Sequence, residues 1–311
     1  MPFQTLAAAM DAPTNALLRD SDAALSLPDF AHILAADFEP AIALGMALHH
    51  DALARLAAAP EPAGFDNTVA AFDRCGRQLR RVLAVFHSVT ASATSPALQA
   101  AERALAAPLA AHFSVVYQDA ALFSRIDSVF QRRVGLGLDA EQQRLVERIH
   151  RDFTRNGAQL VPAARTEFAS IQGRLAELNT RFAQNLLHDE NTFSLPLPDE
   201  AAMAGLPEFL RAAARQAAAE RGLPVPVITL GRSLLLPFLG LSTRRDLREA
   251  AWRAWVNRGA HDGVHDNRPV AAQILALRQR QAQLMGQASY AHFKLGDTMA
   301  QTPERVWGLL D

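Results

Sequence analysis

A chain of 311 residues, half of them hydrophobic and a fifth charged, has the balance of an ordinary water-soluble globular protein and enough length for one large domain or two small ones. Its formal net charge of -1 provides no global field for nucleic acid or an anionic membrane surface. Cys75 is the only cysteine, which excludes an intrachain disulfide and a thiolate zinc cluster. No run approaches the ~20 apolar residues that span a bilayer, and Asp11 interrupts the run 6–10 ahead of the first basic residue, Arg19, so a secretory leader is not expected. A cytoplasmic location is the expectation.

The chain reads as helix after helix. Asp139-Ala140-Glu141-Gln142 is a start signal, because the Asp carboxylate accepts an orphan backbone N–H and Gln at the third helical position reaches back. Leu145, Ile149 and Phe153 follow on one face with Val146 beside them, and Asn156-Gly157 supplies a left-handed stop. Pro162 opens the longest helix, expected to end near Leu187. Its stripe of Phe168, Ile171, Leu175, Leu178, Phe182 and Leu186 can only be a packing surface. Glu177 and Arg181 form an i,i+4 pair worth about 0.3 kcal/mol on that helix.

The texture changes over 191–241. Asn191-Thr192-Phe193-Ser194-Leu195-Pro196-Leu197 and Val225-Pro226-Val227-Ile228-Thr229-Leu230 read as two short strands, with both prolines restricting them to edges or strand ends. An Ala-rich helix over about 206–221, ended by Gly222, lies between them. Thr243-x-x-Asp246 is a capping-box pattern ahead of Leu247, Trp252 and Trp255. Asp266-Asn267-Arg268-Pro269 starts a helix carrying Val270, Ile274, Leu277 and Leu284. Thr302-Pro303-Glu304 starts another carrying Val306, Trp307, Leu309 and Leu310. The expected fold is therefore mainly α with a small two-strand β element near 191–241. Its expected divisions are an amino-terminal extension (1–26), a helical domain (27–190), a small α/β element (191–241) and a further helical segment (242–311).

Candidate chemistry is sparse. A hydrolytic zinc site needs two neutral imidazoles on one helical face and a carboxylate to activate water. The single matching spacing, His261-Asp262-Gly263-Val264-His265, is flanked by Gly259 and interrupted by Gly263, so it reads as an interhelical loop whose imidazoles need not converge. Adjacent His49 and His50 point about 100° apart on a helix and cannot ligate together. His32, His87, His112, His150, His188 and His292 read as isolated, with His150 on the exposed side of its helix. Cys75 has flanking arginines that lower a thiol pKa but no paired His. Gly135-Leu136-Gly137-Leu138 lacks the third glycine and the preceding strand of a phosphate loop. With two tyrosines in the chain, stacking surfaces for nucleic acid are few. No catalytic, cofactor-binding or metal-binding residue is assigned.

Several segments in order nevertheless resemble the thimet-oligopeptidase family of zinc metallopeptidases, on its peptidyl-dipeptidase and oligopeptidase A branch. They are Leu27-Pro28-Asp29-Phe30, Phe38-Glu39-Pro40-Ala41-Ile42, Phe65-Asp66-Asn67-Thr68-Val69-Ala70-Ala71, Leu138-x-x-Glu141-Gln142-x-x-Leu145, Phe153-x-x-Asn156-Gly157-Ala158, Phe182-x-x-Asn185-Leu186-Leu187 and Ala204-Gly205-Leu206-Pro207. The most specific stretch runs from Asp266-Asn267-Arg268-Pro269 through Leu284-Met285-Gly286 and Tyr290-Ala291 to Asp297-Thr298-Met299-Ala300. The resemblance implies the amino-terminal half of a mostly helical, clam-like enzyme that hydrolyses short peptides and releases dipeptides from their carboxyl ends. It implies a zinc held in the family by an H-E-x-x-H motif and a further Glu, none of which this sequence matches. The expectation is a truncated chain without bound zinc and without activity alone, leading into a missing catalytic half. The alternatives are a stand-alone helical peptide-binding or scaffold module, a partner of a separately encoded catalytic half, and a metal enzyme built on His261 and His265.

Overall fold

The computed structural model describes residues 15–19 and 27–311, so most of the expected amino-terminal extension, including the run 6–10, lies outside the described residues. The described residues divide into two compact units, a larger one within 1–177 and 277–311 and a smaller one over 178–276.

Side chains set several, though not all, of the helix starts of the larger unit. Helix α1 (Phe38–Ala57) leads to a π-helical turn over 65–70 that runs into α2 (Ala71–Arg74) and then α3 (Arg77–Ser92). Ser95 caps α4 (Pro96–Gln118) by accepting the Leu98 N–H, and Asp119 caps α5 (Ala120–Arg132) by accepting the Leu122 N–H. The predicted box at Asp139 and Gln142 forms in both directions, at 2.8 and 3.1 Å, and opens α6 (Ala140–Arg155). Gly157 ends it at φ 91, the left-handed conformation its place after the helix requires.

Two apolar clusters fill this unit. Phe38, Ile42 and Met46 of α1 meet Leu79, Val82 and Phe86 of α3 and Leu98 and Leu105 of α4, with the Phe38 and Phe86 rings 5.0 Å apart. The second gathers Leu53, Val69, Leu122, Ile126 and Val129 with the predicted α6 stripe of Val146, Ile149 and Phe153. Phe153 is fully buried between Tyr117 and Phe72, at 5.1 and 5.3 Å. A fully buried aromatic of this kind contributes about 2–3 kcal/mol.

Helix α7 (Pro162–Thr192) carries the long predicted stripe, with Phe168, Ile171, Leu175 and Leu178 buried. It runs five residues past the expected stop at Leu187, because His188, Asp189 and Glu190 each find partners in a later loop. Glu177 is engaged by Arg174 three residues earlier, at 2.9 Å. The two predicted strands form as β1 (Leu195–Pro196) and β2 (Val227–Ile228), antiparallel, with Pro196 opposite Val227. Each has only one neighbour, so proline removes no ladder bond that matters. Helix α8 (Glu208–Glu220) lies between them in sequence, followed by α9 (Arg232–Leu241) and α10 (Arg245–Val256). Leu197, Leu210, Ala214, Ile228, Leu235, Phe238 and Ala251 make the core of the smaller unit, with Trp255 against it.

One start signal differs from expectation. Thr243 does not cap α10: the cap residue is Arg244, whose backbone N–H goes to Ser242 Oγ and whose guanidinium grips Asp246 at 3.0 and 2.6 Å. The carboxylate that the box needed is taken by a stronger charged partner. Helices α11 (Arg268–Leu284), α12 (Tyr290–Leu295) and α13 (Pro303–Leu310) complete the chain, the last capped as predicted by Thr302 onto the Arg305 N–H.

Candidate functional site

The segment with the histidine pair is a loop, as its glycines predict, and it is clasped rather than free. His261 turns to α7, where its Nε2 lies 2.9 and 2.8 Å from the two carboxylate oxygens of Asp189. Asp189 also accepts the Gly259 N–H at 2.7 Å. Partial burial works to raise the Asp189 pKa, but these hydrogen bonds hold it below the ordinary carboxylate value. The Asp189 hydrogen bond raises the pKa of His261. His265 turns elsewhere: its ring stacks on His188 at 3.7 Å and its Nδ1 lies 3.2 Å from Asn185 Oδ1. Asp262 is fully exposed and meets only Arg268, at 2.5 Å. The two imidazoles therefore serve different partners, and the donor set does not fit a zinc ion. Among the described residues no group of three or more His, Cys, Asp or Glu side chains could hold a metal.

Beside that loop a buried amide pair ties the smaller unit together. Asn185 donates to Asn267 Oδ1 at 2.8 Å, and Asn267 donates to the Phe182 carbonyl at 2.9 Å. Gly259 (φ +67) brings its backbone against Asn267, whose amide nitrogen would lie 2.8 Å from any added Cβ. Other residues that carry the family resemblance act alike. Asn67 Oδ1 accepts the Gly64 N–H at 2.8 Å and the Thr68 hydroxyl at 2.9 Å. Arg125 then ties Thr68 Oγ1, at 3.3 Å, to the carbonyls of Ala59 and Glu61. Asp297 receives Arg148 at 3.1 Å and Arg151 at 2.5 Å. The motif residues hold loops to helices.

Three histidines read as isolated meet distant residues, while His32 and His292 meet Asp29 and Ser289 three residues away, at 2.7 and 2.8 Å. His188 stacks on His265, as above. His112 Nε2 lies 3.0 Å from Nδ1 of His49, bridging α4 and α1, so His49 finds its partner across helices and not in His50. His150 is not on an exposed face: its ring stacks on Phe130 at 3.8 Å and its Nε2 meets Asp127 at 2.9 Å. Long-range pairings of this kind leave no local signal in a sequence. Cys75 also corrects the expectation. Burial raises its thiol pKa, and nearby Arg80, Arg55 and Arg74 only partly oppose it, which makes it a poor nucleophile.

Burial, followed by the charges of Arg80 and His50, lowers the pKa of His49. Burial, followed by His49 and His50, carries His112 down to about 4. Both are stored neutral, so their contribution to stability is complete above pH 6.5 and declines as the pH falls from 6.5 towards 4. At about 1.4 kcal/mol per pH unit the ceiling for His112 is roughly 3 kcal/mol, which its partial solvent contact reduces to about 1–2 kcal/mol. Urea unfolding at pH 7.5 and pH 4.5 should show that loss. In His112→Gln, where an amide still donates to His49, the loss should shrink by about half; an unchanged pH dependence would reject the assignment.

Two adjoining cavities share a wall on α6. One, of about 720 Å³, is lined by Phe65, Asp73, Asp139, Glu141, Arg144 and Arg148, among others. The second, of about 530 Å³, lies between Arg144, Arg148 and Arg151 and the segment 296–301. The Gly135 and Gly137 segment follows a helical turn and not a strand, so it lacks the setting of a phosphate loop.

Residues 238–311 match the family described as Peptidase family M3. Similarity to peptidases of two kinds, dipeptidyl carboxypeptidase and oligopeptidase A, runs along nearly the whole chain. Dipeptidyl carboxypeptidase of Escherichia coli is 35% identical over 89% of the chain, and that of Salmonella typhimurium 34% over 94%. Oligopeptidase A of Salmonella typhimurium is 30% identical over 96%. These alignments cover 41%, 43% and 44% of the three relatives, so the chain spans about two fifths of the length of the curated relatives it matches. No helix among the described residues is long and apolar enough to cross a membrane.

Proposed function

We propose that this chain forms the amino-terminal, non-catalytic part of a zinc metallopeptidase that hydrolyses short peptides and releases dipeptides from their carboxyl ends. The observation that carries the reading is the collinear similarity, which covers 89–94% of the chain in alignment with the two dipeptidyl carboxypeptidases. Identity of 34–35% to those enzymes against 30% to oligopeptidase A favours the dipeptide-releasing branch.

The chemistry of the donor set agrees with a supporting role. Hydrolysis by this route requires a held Zn²⁺ with an open position and a carboxylate beside it. Here His261 and His265 are drawn to different partners and Asp262 faces solvent against Arg268. The chain's part is to build a rigid helical wall, fixed by its amide and guanidinium clasps, against which a separate catalytic half and a short peptide are held.

Purified chain incubated with zinc should retain less than about one tenth of an equivalent after dialysis, given the lack of a closed ligand set. It should also leave a tripeptide with a chromogenic amino-terminal cap uncleaved. Stoichiometric zinc together with dipeptide release by the 311-residue chain would overturn the reading.

A further inference from the structure

We infer that the cavity between α6 and the segment 296–301 is a binding site for a small oxyanion, a phosphate or a carboxylate, held chiefly by Arg144, Arg148 and Arg151. This inference uses only side chains of the larger unit and stands apart from the peptidase reading. The cavity measures about 530 Å³, within the range of small-molecule sites. Spacings of four and three along α6 put the three arginines on one face.

Their donors are only partly used. Asp297 takes one nitrogen from Arg148 and one from Arg151, at 3.1 and 2.5 Å. Arg148 spends its Nε on Asp152, at 3.2 Å from the nearer oxygen. Arg144 is the least engaged: its nearest carboxylate, Glu147, is 3.8 Å away, beyond hydrogen-bond reach. Each guanidinium carries five N–H donors, so the three retain a large surplus over the single carboxylate that lines the cavity. Three positive charges against Asp297 leave the lining cationic, while Asp152 on Arg148 and Glu147, 3.8 Å from Arg144, are not part of it.

Asp297 thus acts as an internal anion that keeps the arginines in place and competes with a ligand for them. The opposite wall is built to a fixed shape. Gln301, which lines the cavity, sits at φ 63, a left-handed conformation rare for a residue with a side chain. Planar forks of this kind suit phosphate and carboxylate oxygens.

Calorimetric titration of the intact chain with inorganic phosphate at low ionic strength tests the site. Saturable one-to-one binding is expected. Arg144→Gln should weaken it about tenfold, the worth of one charge-assisted contact. Asp297→Asn, which removes the competing charge, should tighten it several-fold. Arg253→Gln, the same charge change on the smaller unit, should leave it unaltered. A tripeptide with a free carboxylate and the same peptide as its amide separate the two sources: a preference for the free acid over both phosphate and amide identifies a peptide terminus, and a preference for phosphate identifies a free anion. Absence of saturable binding by phosphate and by the free-acid peptide, or equal weakening by Arg144→Gln and Arg253→Gln, would overturn the inference.

Discussion

Gly205→Ala is expected to destabilise the smaller unit by about 3 kcal/mol, while Gly222→Ala, chemically the same change, costs about 1 kcal/mol. Both glycines adopt left-handed backbone, at φ +83 and φ +64, so both variants bear the conformational cost of a side chain there. Only Gly205 adds a collision. A Cβ at that position would lie 2.6 Å from the Leu241 carbonyl oxygen and 2.9 Å from the Thr243 nitrogen, whereas nothing lies within 4 Å at Gly222. Leu241 O and Thr243 N are backbone atoms, and Thr243 N also donates to the Ala204 carbonyl at 3.1 Å. Neither can rotate aside as a side chain would. Relief requires the end of α9 to move away from the turn before α8, which opens the core around Met203, Leu206 and Phe238. Urea midpoints of the two variants should differ accordingly, and equal midpoints would show that the close approach is not a constraint.

Helix periodicity and cap chemistry carried the sequence reading a long way, because both are local. The α6 box, the α6 and α7 stripes, the Thr302 cap and the two strands around α8 all depend on residues within a few positions of one another. Thr243 failed as a cap for an equally local reason that competed with the first: Arg244 is one residue closer to Asp246 in the same race for its carboxylate. The stop of α7 was misplaced because the last turn is held by partners about seventy residues away, such as Gly259 N–H on Asp189. The same holds for the histidines. His49 with His112, and His188 with His265, are meetings of distant segments, and no spacing rule reaches across 63 or 77 residues to find them. The arginine cavity was equally hidden. Nothing local in the sequence singles out Arg144, Arg148 and Arg151, because Asp297, which two of them grip, lies 146 residues beyond Arg151.

The buried amide pair gives the second large effect. Asn267→Ala should cost about 3 kcal/mol, combining lost hydrogen bonds, a small void and a buried donor left without a partner. Asn267 and Asn185 are only 4% and 5% exposed, so water does not readily replace what the substitution removes. The wild-type arrangement is closed on every side: Asn267 accepts from Asn185, donates to the Phe182 carbonyl, and places its backbone N–H on the Gly259 carbonyl at 2.7 Å. Asn185→Ala alone should cost less, about 2 kcal/mol, because Asn267 keeps its Phe182 contact. If the two amides act as one clasp, the double variant should be about 1–2 kcal/mol less destabilised than the sum of the singles, since the second substitution removes a group the first had already orphaned. Hydrogen exchange locates the damage: amides at Gly259 and Asn267 should lose protection in either single variant while those of α8 keep theirs. Strict additivity in the cycle, or exchange that rises equally across α8, would mean that the pair does not work as a unit and that the loop is held without it, by His261 on Asp189 and Arg258 on Glu190 of α7.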